Sequence, residues 1–483
     1  MGACNVEAVH RSAACHSDQG PEGPARRNLA VNRTARSLDS LRSLGMTPRG
    51  GPYGPRARRA VRGGCTALAL AGLVALAAVG CTTSDPVELV ETRPAISTEI
   101  AVRVIAPDEA TALECMESAW REMETCALLL DRWTEGSDVA TINKQAGRFH
   151  AEVDPITISC LAAAREAWGV TEGAFDPTVG PLLSLWRKAQ EDDRLPAPDE
   201  VEAARQKVGV EKIEILAGLI QRPQSDVAQG LPSGMPPTPE DLQKDLYTVG
   251  IREGMELDLG GIAKGYIAGR MARRMQLHGA IAGLVAAAGD VYAFGRRPPS
   301  LVKSGRDARW GVAVQDPRYP DEFGRAYTAI HLENQSVDTS GHYYRGYEIA
   351  GKHYSHIIAP RTGRPVDTRL ASATVVARDP AFSDGLATAM AVLGVEKGLA
   401  LVDSLEGVEC LLLEWKPKEG ETAAPSGAPP KDAELIAHRS SGFAAMEFDP
   451  SRLAGQDETA RDQTPAGETA GEEPPAAAPA EAP

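Results

Sequence analysis

The run Leu257-Asp258-Leu259-Gly260-Gly261-Ile262-Ala263-Lys264-Gly265, continuing to Met275 as YIAGRMARRM, admits few folds. Ala263, Ile267, Met271 and Met275 recur every four residues, the stripe of an amphipathic helix that must pack against a larger apolar body. Gly260 and Gly261 precede it, so the helix starts with no side chain over its first N–H groups. That end, with its positive dipole, can receive an anion. Lys264 adds a point charge beside it. The plainer reading also stands: the glycines allow close strand–helix packing and Lys264 is solvated.

Around this helix the chain mixes strand and helix patterns. Thr92 to Ile105 alternates as a strand, with Ile100, Val102 and Val104 on one face. Ala110 to Leu130, Pro155 to Thr171 and Asp199 to Gly209 read as helices, separated by a polar loop and the Gly/Pro-punctuated GAFDPTVGPLL. Alternating strands and helices follow as far as Glu414. Strict βαβ alternation is absent, which predicts an α+β body at 90–449 with two lobes in a mixed sheet and helix arrangement. Pro-, Gly- and Ser-rich stretches at 222–240 and 416–432 read as flexible insertions, and 450–483 as a disordered acidic Ala/Pro-rich tail.

The first 81 residues read as a targeting region. PRARRAVRGG supplies a positive segment, Thr66 to Val79 an apolar stretch, and Ala-Val-Gly ends in small residues before Cys81. At about 14 residues that stretch is short for a membrane span. Ala78-Val79-Gly80-Cys81 resembles a bacterial lipobox. Lipidation at Cys81 would tether an exported protein to a bacterial membrane, facing the periplasm or cell exterior; the alternative is a signal peptide cut without lipidation. Met46 stands where a signal of ordinary length would begin, so it is the expected start. The net charge of −15 argues against nucleic acid as a main partner. Cys115 and Cys126, eleven residues apart on one helix, lie about 16 Å apart, too far to bond to each other.

Two further stretches carry chemistry. AFSDGLATAMAVLG puts Asp384 and Thr388 at i and i+4 on one helix face, with Gly394 ending the helix. A carboxylate and a hydroxyl one turn apart suit Mg²⁺; equally, Asp384 could offset its own helix dipole with Thr388 back-bonded. The region VDTSGHYYRGYEIAGKHYSHIIAPRTGRPVD reads as a turn, then a hairpin with Gly351 in its turn and His356 on the second strand. His353 and His356, three apart on a strand, would point to opposite faces, which argues against a metal cluster with His342. A single catalytic or substrate-orienting His356 is the expectation.

Five blocks in order, SDVATINKQAG, GAFDPTVGPL, LDLGGIAKGY, TSGHYYRGYEIAGKHYSHIIAPRTGRPV and SDGLATAMAVLG, resemble the ApbE family of FAD:protein FMN transferases over roughly Arg93 to Glu447. The resemblance implies an enzyme with FAD as substrate, Mg²⁺ as cofactor, and a partner protein whose threonine hydroxyl receives FMN as AMP leaves. FAD contacts would fall on Ile96, Trp133, Ala174, Phe175, Asp176, Asp258, Lys264 and Ile358. The metal would be held by the Gly261 carbonyl, Asp384 and Thr388. Lys264 and His356 would be catalytic, with Asp290 or Asp258 as the alternative base. By family analogy the acceptor is a membrane-associated redox protein. Hydrolysis of FAD to FMN and AMP, or flavin binding without catalysis, are the alternatives. The chain departs from the family at Ile96-Ser97-Thr98, where Met-Gly-Thr is usual. It departs again at Ala286-Ala287-Ala288-Gly289-Asp290, where Asn-x-Gly-Gly-Asp is usual, and at Ala359, where Asp is common.

Overall fold

The computed structural model describes residues 85–96, 98–218, 246–320, 322, 325–341, 346–416 and 429–455. The chain divides into two units, Met1–Thr82 and Thr83–Pro483, and the described residues all belong to the second. Cys81, His342, the 222–240 insertion, most of the 416–432 insertion and nearly all of the acidic tail lie outside them.

Eight strands form one sheet: β1 (Val87–Ala95), β2 (Thr98–Ala106), β3 (Ala282–Ala287), β4 (Asp290–Phe294), β5 (Gln335–Gly341), β6 (Leu370–Ala377), β7 (Glu409–Trp415) and β8 (Leu435–Arg439). Their order in space is their order in the chain, and every neighbouring pair is antiparallel. The α+β expectation holds. The single strand expected over Thr92–Ile105 does not: it is a hairpin, with Ala95 paired to Thr98 and Ile96 at φ +44°. Paired residues share a face, so across this two-residue turn the inward positions change from odd on β1 to even on β2, a change of phase inside what reads as one alternating run.

Among the described residues seven helices accompany the sheet: α1 (Glu109–Leu130), α2 (Asp138–Gln145), α3 (Pro155–Val170), α4 (Gly180–Glu191), α5 (Pro198–Arg205), α6 (Ala263–Leu277) and α7 (Pro380–Asp403). The main core brings Ile100, Val102 and Val104 of β2 together with Ala119 and Met123 of α1, Ile267, Met271 and Met275 of α6, and Leu386 and Met390 of α7. Gly394, at φ +74°, interrupts α7 rather than ending it, and a second helical segment follows. A second core joins Val291, Val337, Leu411 and Leu413 to the strands Trp310–Gln315 and Ala326–Leu332. A third is built on Leu182, Trp186, Ile349 and Ile358, where α4 receives the hairpin Gly346–Ile349/Lys352–Ser355. There the Glu348 N–H donates to Gln190 Oε1 at 3.0 Å.

Cys115, Cys126, Cys160 and Cys410 are buried free thiols, and Cys115 and Cys126 share α1. Burial pushes Cys126 and Cys410 each up to about 12, so neither offers thiolate at neutral pH. None of the four is expected to be labelled by a thiol reagent in the native protein, and all four after unfolding. Peptide mass mapping reads this directly, and label on a native body cysteine would contradict the packing.

The β3–β4 loop is the two residues Ala288 (φ +52°) and Gly289 (φ +96°), both left-handed, between the paired Ala287 and Asp290. Such a turn favours Asn-Gly, and alanine there carries a cost of about 1–2 kcal/mol. Ala288→Asn is expected to stabilise the protein by about 1 kcal/mol, a rise in Tm of about 1–2 °C. Thermal unfolding measures it, and a fall in Tm would contradict the turn geometry.

Candidate active site

The helix start that opened the sequence argument is held by three distant residues. Asn143 pairs with the backbone of Leu257, its Oδ1 accepting from the N–H at 2.6 Å and its Nδ2 donating to the carbonyl at 3.0 Å. Arg132 donates to Asp258 Oδ2 at 2.9 Å and to Glu256 Oε2 at 2.5 Å. Ser184 Oγ donates to the same Glu256 oxygen at 2.8 Å. Asp258 Oδ1 in turn accepts from the Gly260 N–H at 2.8 Å, closing the turn before α6.

Beyond this clamp the anion on the α6 N-terminus is the protein's own. Asp384, from α7, accepts from the Gly265 N–H at 3.0 Å and from Lys264 Nζ at 3.2 and 3.4 Å. It therefore offsets the dipole of α6, while Asp379 caps α7 by accepting from the Phe382 N–H at 2.9 Å. Lys264 is 31% exposed yet paired, rather than simply solvated as the plainer reading had it. Its ammonium also lies 3.1 Å from Asp290 Oδ2. Burial works against its charge, but Asp290 and Asp384 outweigh that and hold it protonated.

Two strands deliver the remaining acids. Thr339 N–H donates to Asp290 Oδ1 at 3.1 Å, across β4 and β5. Asp338, fully buried on β5, accepts at Oδ2 from Ser336 Oγ at 2.5 Å and from Ser383 Oγ of α7. Burial, against the pull of Lys264, pushes Asp290 up to about 7. Burial, with Asp290 and Asp384 nearby, pushes Asp338 up as well. Two buried acids, Asp290 and Asp384, thus face one ammonium, with Asp338 buried near both. Such a pocket favours additional positive charge.

The oxygen donors gather at one place. Gly261 is wedged between Phe175 and α7: a Cβ there would lie 3.2 Å from Phe175 Cε2 and 3.3 Å from Thr388 Oγ1. Thr388 Oγ1 lies 3.3 Å from the Asp384 carbonyl, the back-bond foreseen for it, and 3.4 Å from Ser340 Oγ. Among the described residues no three His, Cys, Asp or Glu side chains converge as metal ligands. A cation here would draw on a carboxylate, a hydroxyl and a carbonyl, all hard oxygens that fit Mg²⁺.

The other expected site residues divide. Trp133 is 61% exposed, its ring stacked by Arg132 and Arg187 at 4.7 and 4.2 Å. It lines a cleft of about 360 Å³ with Arg132, Asn143, Ser184, Arg187 and Glu256. Ile96 sits at the β1–β2 turn, half-buried against the main core. Ala174 and Phe175 are buried in that core, and the Ile358 side chain is spent on the third. Asp176 is buried and turned into its own loop, its Oδ1 accepting from Thr178 N–H at 2.8 Å and Thr178 Oγ1 at 2.6 Å. His356 is not on the hairpin strand, which ends at Ser355; it is half-buried just beyond it. His353 is engaged with Glu348 at 2.6 Å.

Sequence reasoning passed over Arg132, Asp338 and Ser383. Ser336, Asp338 and Ser340 alternate along β5, and an acid on an inward-facing row was the available signal for Asp338. Nothing local pairs Arg132 with Glu256.

Residues 96–412 match the model of the ApbE family. A protein of Treponema pallidum (strain Nichols) named FAD:protein FMN transferase is 30% identical over 322 residues, 66% of this chain and 82% of that one. The protein of that name from Salmonella typhimurium is 28% identical over 368 residues, 74% of this chain and 93% of its own. The crystal structure of the ApbE protein from Thermotoga maritima superposes with a TM-score of 0.56 at 27% identity, over 75% of this chain and 100% of that one.

Proposed function

We infer, from the premise that this chain belongs to the ApbE family, that it is an FAD:protein FMN transferase. It moves FMN from FAD onto a threonine hydroxyl of a partner protein. The observation that carries the reading is the join of α6 to α7, where Lys264 and the Gly265 N–H meet Asp384 and Gly261 packs beside Thr388.

In this reading the acceptor oxygen forms a bond to the FMN phosphorus and the bond to the AMP oxygen breaks, its electron pair leaving with AMP. Lys264, positioned by Asp290 and Asp384, donates to a pyrophosphate oxygen and offsets charge gathering there. Asp384, Thr388 and the Gly261 carbonyl would hold Mg²⁺, which when bound supplies Lewis-acid neutralisation of the phosphates. His356 takes the proton from the acceptor hydroxyl. Trp133, largely exposed and held by Arg132 and Arg187, offers aromatic surface to a flavin or adenine ring. Asp258 serves that site indirectly by holding the α6 entry, and Ile358 through its backbone. The signal-like stretch of sequence before Cys81 supports an exported, lipid-anchored enzyme acting on a membrane-associated redox protein.

The protein, incubated with FAD and Mg²⁺ and a threonine-bearing domain of a flavinylated redox protein, is expected to add the mass of FMN to that domain with one AMP released per transfer. FMN and AMP appearing with the domain unmodified would overturn the transferase reading in favour of hydrolysis. His356→Gln is expected to slow transfer about 10²-fold at unchanged FAD affinity, read as kcat against equilibrium binding. An unchanged kcat would remove His356 as the base. Cys81→Ser is expected to shift the protein from the membrane to the soluble fraction, and retention on the membrane would count against lipidation there.

A further inference from the structure

Ser383 and Asp384 are consecutive on α7, yet their side chains reach different elements. Asp384 meets Gly265 and Lys264 of α6, and Ser383 Oγ meets Asp338 Oδ2 of β5. Ser383 Oγ also lies 3.2 Å from the Asp379 carbonyl one turn back, the acceptor a helical serine ordinarily uses. A hydroxyl has one hydrogen, and Asp338 Oδ2 is nearer to it than the Asp379 or Pro380 carbonyl. So the α7 turn that carries Asp384 is tied in two directions about 100° apart on the helix, once to the sheet and once to α6.

Asp338 is an expensive residue to place there. It is fully buried, and its Oδ1 has no hydrogen-bond partner. The β4–β5 register pairs Val337 with Val291, so its next step sets Asp338 against Asp290 across the strands. Two acids directly opposite on a buried face are destabilising unless they serve something else.

We propose that Asp338 is a positioning residue of the cation site: through Ser383 it sets the rotation of the first turns of α7 and so the aim of Asp384. The inference rests on the reading that Asp384 binds Mg²⁺. Outer partners that orient a metal ligand are typically worth about 10- to 100-fold in metal affinity.

The test is Mg²⁺ titration of the full-length protein by calorimetry without FAD, with the Mg²⁺ dependence of kcat as a second readout. Asp338→Leu, similar in size but no acceptor, is expected to weaken Mg²⁺ binding about 10- to 100-fold, and Ser383→Ala to weaken it in the same direction. Combining the two is expected to add little, because they break one link. Asp338→Asn keeps an acceptor for Ser383 and is expected to stay within about 3-fold of wild type, since the link rather than the charge is what positions Asp384. At saturating Mg²⁺ the kcat of Asp338→Leu should return toward wild type. If Mg²⁺ binds wild type but not Asp384→Ala, while Asp338→Leu binds as wild type does, the positioning role is overturned and the metal reading stands. If Asp338→Asn loses as much as Asp338→Leu, charge rather than the hydrogen bond is at work, and the role again fails. If wild type and Asp384→Ala bind Mg²⁺ alike, the metal reading fails and takes this inference with it. Thermal unfolding of each variant separates a lost site from a lost fold.

Discussion

Asp384→Asn is expected to slow FMN transfer by about 10³-fold, about 4 kcal/mol of transition-state stabilisation, while shifting folding stability by less than about 1 kcal/mol. The two effects separate because of what surrounds the residue. Asparagine keeps the shape and an oxygen for the Gly265 N–H, so the α6–α7 contact survives. Lys264 keeps Asp290 at 3.1 Å, so no ammonium is left buried without a counter-charge. What goes is one of the two carboxylates at that ammonium, the one carried by the helix of Thr388. A buried ion pair usually resists such a change; here the surplus of acid makes it tolerable. Single-turnover transfer and urea unfolding read the two quantities. A variant with transfer within tenfold of wild type would remove Asp384 from the chemistry, and one that fails to fold would mean that Asp290 does not suffice for Lys264.

Gly265→Ala is expected to act the other way, chiefly on stability. A Cβ at Gly265 would lie 1.9 Å from the Pro380 carbonyl oxygen, 2.7 Å from its carbon and 2.9 Å from Asp384 Cβ. These are backbone and near-backbone atoms at the start of α7, so only movement of the helix could relieve the overlap. Overpacking of side chains costs about 1–3 kcal/mol, and a clash with backbone belongs at or above the top of that range. The expected loss is about 3 kcal/mol or more, with transfer falling too because Asp384 moves with the helix. Gly269, one turn on, is the control: its Cβ would meet Pro380 Cγ at 2.7 Å, a ring carbon free to pucker. Gly269→Ala should cost less than half as much. Urea unfolding of both variants decides, and equal losses would mean that the glycines serve helix flexibility rather than the closeness of α6 and α7.

These two residues divide what could be read in advance from what could not. Asp384 was visible because its partner Thr388 is one turn away, and a helix fixes that spacing through its own hydrogen bonds. The stripe Ala263, Ile267, Met271 and Met275 was visible for the same reason, and α6 buries the last three of them in the main core. The family blocks were legible too, and with them the kind of enzyme. By contrast, nothing in the neighbours of Gly265 spoke of Pro380. The reversal at Ile96 was missed because Thr92 to Ile105 was read as one run, although the inward positions change from odd to even across it. His356 was placed on a strand because the turn at Gly351 could be seen while the length of the strand after it could not.

The sequence by itself determined local items: where several of the helices and strands fall, which face of these is apolar, and which polar groups lie one turn apart. Those follow from backbone geometry, which repeats over a few residues. Only the tertiary structure decided that Arg132 closes the turn before α6, that Asp384 caps a helix other than its own, and that Asp338 stands opposite Asp290 and takes hold of Ser383. Each of those joins residues 45 to 126 positions apart. Such contacts are set by sheet register and by how closely two helices pack, and those depend on the whole core at once.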